Sequence, residues 1–246
     1  MKKIISKIVR TLKPQKTIPL PKIAEKRLET CDQIRAQGLS FLSKASIYSL
    51  VKLVEEIETG GIDGDILEAG CALGGSSIAM CSAKNSTRAL RLYDTFEMIP
   101  PPSDKDDQDV HDRYEIIKSG RAEGMKGEKY YGYLKDIPER VTKSFDDFGY
   151  PIDKNLVTLH KGLLQDTMHV NEPIALAHID VDWYEPVYTC LERVIPNLSQ
   201  GGAVVLDDYF AWSGCRKATD DFFASRKKEF TFCSKYGHLI VQHRND

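Results

Sequence analysis

The chain is short of net charge, of paired cysteines and of long apolar runs. Lys+Arg and Asp+Glu number 34 and 36, leaving a formal net charge of -2. A dedicated nucleic-acid binder carries a basic excess, so nucleic acid is not an expected partner. No apolar stretch approaches the ~20 residues that cross a bilayer. The cysteines Cys31, Cys71, Cys81, Cys190, Cys215 and Cys233 form no C-x-x-C pair, and several lie inside apolar runs. Buried free thiols in a reducing compartment fit that usage, so the expected location is cytoplasmic. Internal repeats and low-complexity tracts are missing too. What is present is 246 residues, enough for one large α/β domain with a sizeable core.

The first sixteen residues differ from the rest. They carry Lys2, Lys3, Lys7, Arg10, Lys13 and Lys16 and no acid, with Ile4, Ile5, Ile8, Val9 and Leu12 at helical spacing. Such a basic amphipathic helix can make peripheral contact with an anionic membrane. The plainer expectation is an arm that packs on the domain or on a second subunit of a homo-oligomer. Lys7 and Arg10 interrupt what would be the apolar core of a secretory signal. Pro14, Pro19 and Pro21 mark a linker, so residues 1–40 are expected as arm and linker and 41–246 as the domain.

Within the domain, strands and helices alternate. Phe41–Glu58 has helical apolar spacing and ends at Gly60-Gly61. Strands are expected at Asp65–Ala69, Ala89–Tyr93, Leu156–His160, Ile174–Ile179 and Ala203–Leu206. Helices are expected at Ser76–Ala83, Glu185–Ile195 and Cys215–Ala224. Glu229–Cys233 and His238–His243 form a closing antiparallel pair. This pattern predicts an α/β fold: a doubly wound, seven-stranded, mostly parallel sheet. The second and third strands are separated by far more than the crossover minimum of about a dozen residues. The excess, about residues 97–149, is expected as a helical lid insertion. Asp136-Ile-Pro-Glu139 resembles a capping box, and Ile137, Val141 and Phe145 follow at i, i+4 and i+8.

Two apolar runs end abruptly in paired acids: His178-Ile-Asp-Val-Asp-Trp-Tyr-Glu-Pro186 and Val205-Leu-Asp-Asp-Tyr209. Apolar runs of this kind read as buried parallel strands, and the carboxyl ends of such strands hold the active sites of open α/β sheets. Asp180, Asp182, Asp207 and Asp208 are thus expected to converge. Four carboxylates at one point repel each other unless a cation sits among them, which points to a hard divalent metal.

The first strand runs into a glycine turn, Asp65-Ile-Leu-Glu-Ala-Gly-Cys-Ala-Leu-Gly-Gly-Ser-Ser77. Gly70 permits a tight turn close to a ligand, and the helix opened by Gly74-Gly75 presents free N–H groups near Ser76. The spacing is not the G-x-G-x-x-G of dinucleotide sites. Asp94, at the end of the second strand, can accept bonds from both hydroxyls of a ribose. Glu68 suits a ligand with a cationic group better than a pyrophosphate. Together these residues resemble the S-adenosyl-L-methionine site of class I methyltransferases, with the Rossmann-like fold that implies. His160-Lys-Gly-Leu-Leu-Gln-Asp-Thr167 is similar to a loop of metal-dependent catechol methyltransferases, which implies Gln165 at an adenine edge.

The resemblance then narrows. Glu-Ala-Gly-x-x-x-Gly-Gly-Ser-Ser, Tyr93-Asp-Thr-Phe-Glu97, His-Ile-Asp-Val-Asp-Trp-Tyr-Glu and Leu-Asp-Asp-Tyr resemble the macrocin O-methyltransferase family, from about Ile62 onward. That family implies an S-adenosylmethionine- and Mg²⁺-dependent O-methyltransferase acting on a sugar hydroxyl of a glycoside or natural product. By motif it implies Mg²⁺ held by Asp180, Asp207 and Asp208, with Asp182 as general base. The chain departs from the family pattern at Glu97-Met-Ile-Pro100, where a glycine commonly follows the acid. An acceptor of the catechol or aromatic-diol type is the alternative. A non-catalytic glycan- or membrane-associated module is the reading from another class.

Overall fold

A computed structural model of the chain describes residues 19–244. The basic amphipathic arm therefore lies outside the described residues. Seven strands form one sheet in the order β3-β2-β1-β4-β5-β7-β6. They are β1 Asp65–Ala69, β2 Leu90–Asp94, β3 Val157–Lys161, β4 Ile174–Ile179, β5 Leu198–Leu206, β6 Phe230–Lys235 and β7 His238–His243. The first five run parallel, and β7 returns antiparallel between β5 and β6. The doubly wound, seven-stranded, mostly parallel sheet expected from the apolar runs is the one observed.

The helices are α1 Glu25–Ala36, α2 Lys44–Gly60, α3 Gly75–Cys81, α4 Gln108–Lys118, α5 Ile137–Asp147, α6 Leu164–Thr167, α7 Tyr184–Val194 and α8 Ser213–Phe222. Helices α1, α2, α3 and α5 share one apolar cluster with one face of the sheet, and α6, α7 and α8 share a second with the other. Ser43 caps α2, its hydroxyl accepting from Ser46 N at 3.1 Å.

Three expectations shift. The domain begins before residue 41, because α1 places fully buried Cys31 and Ile34 in the first core cluster. The insertion divides in two. Helix α5 buries Ile137, Val141 and Phe145 in that same cluster and serves as the ordinary crossover helix into β3. Only the stretch before it, with α4, overhangs the strand ends. Asp136 precedes α5 in a left-handed conformation and makes no side-chain cap, so the capping box does not form.

Candidate active site

Strand register builds the site. Ala69 pairs with Tyr93 on one side and Ile179 on the other, and Ile179 pairs with Leu206. The next residues therefore emerge at one level: Asp94, Gly70, Asp180 and Asp207. The ladder continues one step past the strands, with Gly70 N donating to Tyr93 O (2.8 Å), Asp180 N to Ala69 O (2.9 Å) and Asp207 N to Ile179 O (3.1 Å). This edge lies where the strand order reverses, the usual crevice of open α/β sheets. Gly70 has φ +85°, and a Cβ there would stand 1.8 Å from Asp180 O, so only glycine fits between β1 and β4.

The carboxylates converge as expected. One oxygen from each of Asp180, Asp207 and Asp208 falls within a 4.8 Å group, and Asp208 Oδ2 is buried without a hydrogen-bond partner among the described residues. Burial, then the charge of Asp207, holds the Asp180 carboxyl well above the usual carboxylate range. Burial and the charges of Asp182 and Asp180 do the same to Asp208. Asp207 goes the other way: burial opposes ionisation, but contact with His238 and the charge of His178 hold it below its ordinary value. An all-oxygen set containing an orphaned buried oxygen fits a hard cation such as Mg²⁺. A second group, His178, Asp207 and His238, also has ligand atoms within 4.8 Å. Both histidines are fully buried and neither lines the two cavities at these strand ends, so an ion there would have no open position towards them. His238 Nδ1 instead lies 2.8 Å from Asp207 Oδ1, orienting that acid from behind.

Asp182 is outside the oxygen group of Asp180, Asp207 and Asp208, beside Asp208. Its backbone is left-handed, φ +55°, a conformation that costs ~1 kcal/mol or more outside glycine and persists only where the surroundings impose it. Burial pushes its carboxyl up to about 6, against a hydrogen bond with Asp208 and the charge of Arg113. An acid poised there is suited to proton transfer near neutral pH.

Two cavities meet at this point. One, of 350 Å³, is lined by Gly70, Asp94, Gln165, Asp180, Asp182 and the Pro100–Pro102 run, among others. The other, of 300 Å³, is lined by Ser76, Arg113, Tyr130, Asp207, Asp208 and Trp212, with further residues. Gly70, Tyr131, Asp180, Asp182 and Trp183 belong to both walls. In the first cavity Asp94 accepts from Ala72 N (2.9 Å) and Phe96 N (2.7 Å), which fixes its carboxyl in place.

The remaining sequence-derived residues distribute differently. Ser76 lies on the second cavity, not the first. Gly74 touches neither; it is the left-handed N-cap of α3. Glu68 is fully buried and off both walls. It is paired through the β1–β4 register with His178, whose Nδ1 lies 2.8 Å from Glu68 Oε1, and Ser77 Oγ donates to its other oxygen. Burial alone would lower His178, but the bond to Glu68 reverses this and raises it to about 9. Glu68 thus has a side chain of the protein as its partner.

Sequence reasoning missed how the overhang is fastened. Helix α7 starts without a side-chain cap of its own, and Asp106 of the insertion supplies one, accepting from Tyr184 N at 2.8 Å. Asp109 does the same for α8, accepting from Ser213 N at 3.0 Å. Trp183 Nε1 donates to Pro100 O at 3.0 Å. Ile99, Val110, Ile117, Ala122, Tyr130 and Trp183 form a small apolar cluster beneath. The stretch before α5 is therefore a wall tied to the helix starts beside the acids. Its one hint in the sequence is a run of acids, Asp104, Asp106, Asp107 and Asp109.

The sheet order, the glycine turn and the two cavities define a class I methyltransferase fold. Solved structures agree on the fold. The O-methyltransferase NovP superposes with TM-score 0.64 at 21% identity, covering 81% of this chain and 79% of that one. The calicheamicin methyltransferase CalS11 does so with TM-score 0.59 at 16% identity, covering 95% and 100%. The family described as macrocin-O-methyltransferase (TylF) matches residues 1–231, and the chain belongs to it. The match includes the N-terminal arm, which the motif resemblance from Ile62 onward had left out.

Among curated relatives, an 8-demethyl-8-(2,3-dimethoxy-alpha-L-rhamnosyl)-tetracenomycin-C 4'-O-methyltransferase of Streptomyces olivaceus is 31% identical over 69% of this chain and 61% of its own length. A demethyldecarbamoylnovobiocin O-methyltransferase of Streptomyces niveus is 26% identical over 78% of this chain and 73% of its own. The chain thus spans less than two thirds of the first of these relatives.

Proposed function

We propose that the protein is an S-adenosylmethionine- and Mg²⁺-dependent O-methyltransferase that methylates a sugar hydroxyl of a glycoside or natural product. One observation carries this reading: two cavities share a wall at Asp180 and Asp182, so a donor in one and an acceptor in the other meet beside the carboxylates. Family membership and the relatives named for rhamnosyl and novobiocin substrates support the sugar acceptor.

The first cavity takes the donor. Asp94 keeps lone pairs free for the ribose hydroxyls beyond its two backbone bonds, and Gln165 on α6 reaches the adenine edge. S-adenosylmethionine supplies an electrophilic methyl on its sulfonium. Asp180, Asp207 and Asp208 are the residues that would hold Mg²⁺, with His238 steadying Asp207. A divalent cation there supplies charge that makes an acceptor hydroxyl easier to deprotonate. Asp182 takes the hydroxyl proton as the oxygen attacks the methyl and the sulfur–methyl bond breaks, leaving S-adenosylhomocysteine. Gly70 keeps the β1 turn close enough to β4 for both cavities to open on the same point. Glu68 acts one layer back, holding His178 under the acids.

The aromatic side walls Tyr130, Tyr131, Trp183 and Trp212 also accommodate an aromatic diol. A side-by-side screen of glycosides and catechols decides between acceptors. Calorimetric titration with S-adenosylhomocysteine tests the donor site, with micromolar binding expected. Turnover should vanish in excess EDTA and return with Mg²⁺; undiminished turnover in EDTA would sink the metal role.

A further inference from the structure

Helix α4 carries a charge where its pattern calls for an apolar residue. Val110, Arg113, Tyr114 and Ile117 stand at i, i+3, i+4 and i+7, so they share one face, and Val110 and Ile117 are buried in the cluster under the overhang. Arg113 is half-buried and lines the second cavity, the one cationic residue on that wall among the described residues. No hydrogen bond or ion pair among the described residues holds its guanidinium. Its charge reaches Asp182 without a hydrogen bond, and three acids near it in sequence are engaged elsewhere. Asp109, one helical turn back, accepts from Ser213; Asp106 accepts from Tyr184 and Ser103; Asp112 accepts from Gln108.

A half-buried guanidinium on a substrate cavity, with no hydrogen-bonded partner, has donors that a ligand can complete. Filling this cavity with a neutral molecule would strip water from Arg113 and return nothing. Its planar fork matches a carboxylate or phosphate with two parallel bonds. Four acids line the same cavity, and the charge of Arg113 reaches Asp182, so a hydroxyl and an oxyanion of one ligand can be held side by side.

We infer that Arg113 docks an oxyanion of the acceptor, a carboxylate or phosphate borne by the sugar or joined to it, while the hydroxyl lies at the acids. This rests on the assignment of the second cavity to the acceptor. The protein is then selective for acidic sugars over their neutral counterparts.

The test uses full-length protein with Mg²⁺ and saturating S-adenosylhomocysteine. Acceptor affinity is measured by calorimetry for two matched pairs: p-nitrophenyl glucuronide against p-nitrophenyl glucoside, and thymidine diphosphate-rhamnose against methyl rhamnoside. The acidic member of at least one pair should bind about tenfold or more tightly than the neutral one. Which pair responds tells carboxylate from diphosphate. Arg113→Gln should bring the acidic member to within about threefold of the neutral one, and Arg113→Lys should keep part of the preference. S-adenosylhomocysteine affinity should stay unchanged in both variants, which also confirms that they fold. Absence of a preference in both pairs, including failure to bind any of the four, overturns the inference, as does a preference that survives in Arg113→Gln. Failure of the wild-type protein to bind S-adenosylhomocysteine instead overturns the methyltransferase reading itself.

Discussion

Across the cleft, the sheet edge and the overhang hold their functional groups by different means. On the sheet side, Asp180 and Asp207 follow fully buried strand residues, and backbone register alone brings them level. On the overhang side, position depends on single side chains reaching for distant backbone: Asp106 to Tyr184, Asp109 to Ser213, Trp183 to Pro100. The first arrangement is rigid, because moving one acid means breaking a ladder. The second exchanges contacts at modest cost. Chemistry that needs carboxylates held closely belongs on the sheet, and acceptor choice belongs on the wall that sequence change can redraw.

Substitutions on the two sides should separate accordingly. The largest effect is expected from Asp180→Asn, which removes a carboxylate from the shared wall. Mg²⁺ binding should be lost by calorimetry, and kcat/KM should fall by more than ~10⁴-fold. Asp182→Asn should split the two properties: Mg²⁺ affinity within about threefold of wild type, kcat down ~10²–10⁴-fold. A D182N protein that loses the metal would place Asp182 among the ligands instead.

On the overhang side, Asp106→Ala should cost about 1–2 kcal/mol in urea unfolding, since α7 loses its cap. Its Mg²⁺ affinity should be unchanged. An equal loss of metal affinity would show that the two walls are one mechanical unit. Asp109→Ala should cost less, about 0.5–1 kcal/mol, because its carboxylate is exposed. Hydrogen bonds with Ser213 outweigh the effect of burial and lower its pKa in the folded state. The stability it contributes is therefore present above the ordinary aspartate range and lost as pH falls through its folded value.

The same division decides what the sequence could disclose. The strands are short apolar runs bounded by turns, and four acids at two run ends mark an edge without knowledge of the fold. Asp94 and Gln165 are legible for the same reason, each lying just beyond a strand. Glu68 shows the limit. Its acid is visible in the sequence, but its contact with His178 arises only through the β1–β4 pairing. Helix α1 turns only Thr30, Cys31 and Ile34 inward, too few to show a period. Helix α4 interrupts its apolar face with Arg113, so a functional residue erased the signal that would have revealed its helix. The caps by Asp106 and Asp109 leave only a run of acids in the sequence, which does not say which distant N–H groups they meet.

The central claim is that Asp180, Asp207 and Asp208 are a crowded set made compatible by a divalent cation. Asp180 and Asp208 are held well above the ordinary carboxylate range by burial and by neighbouring acids, so they bind protons more readily than free carboxyls. An ion binding there competes with those protons, and its affinity must fall as pH is lowered. Mg²⁺ titration by calorimetry over a series of pH values follows that competition. Binding that weakens as pH falls is the predicted result. No binding, or an affinity independent of pH, would contradict the account.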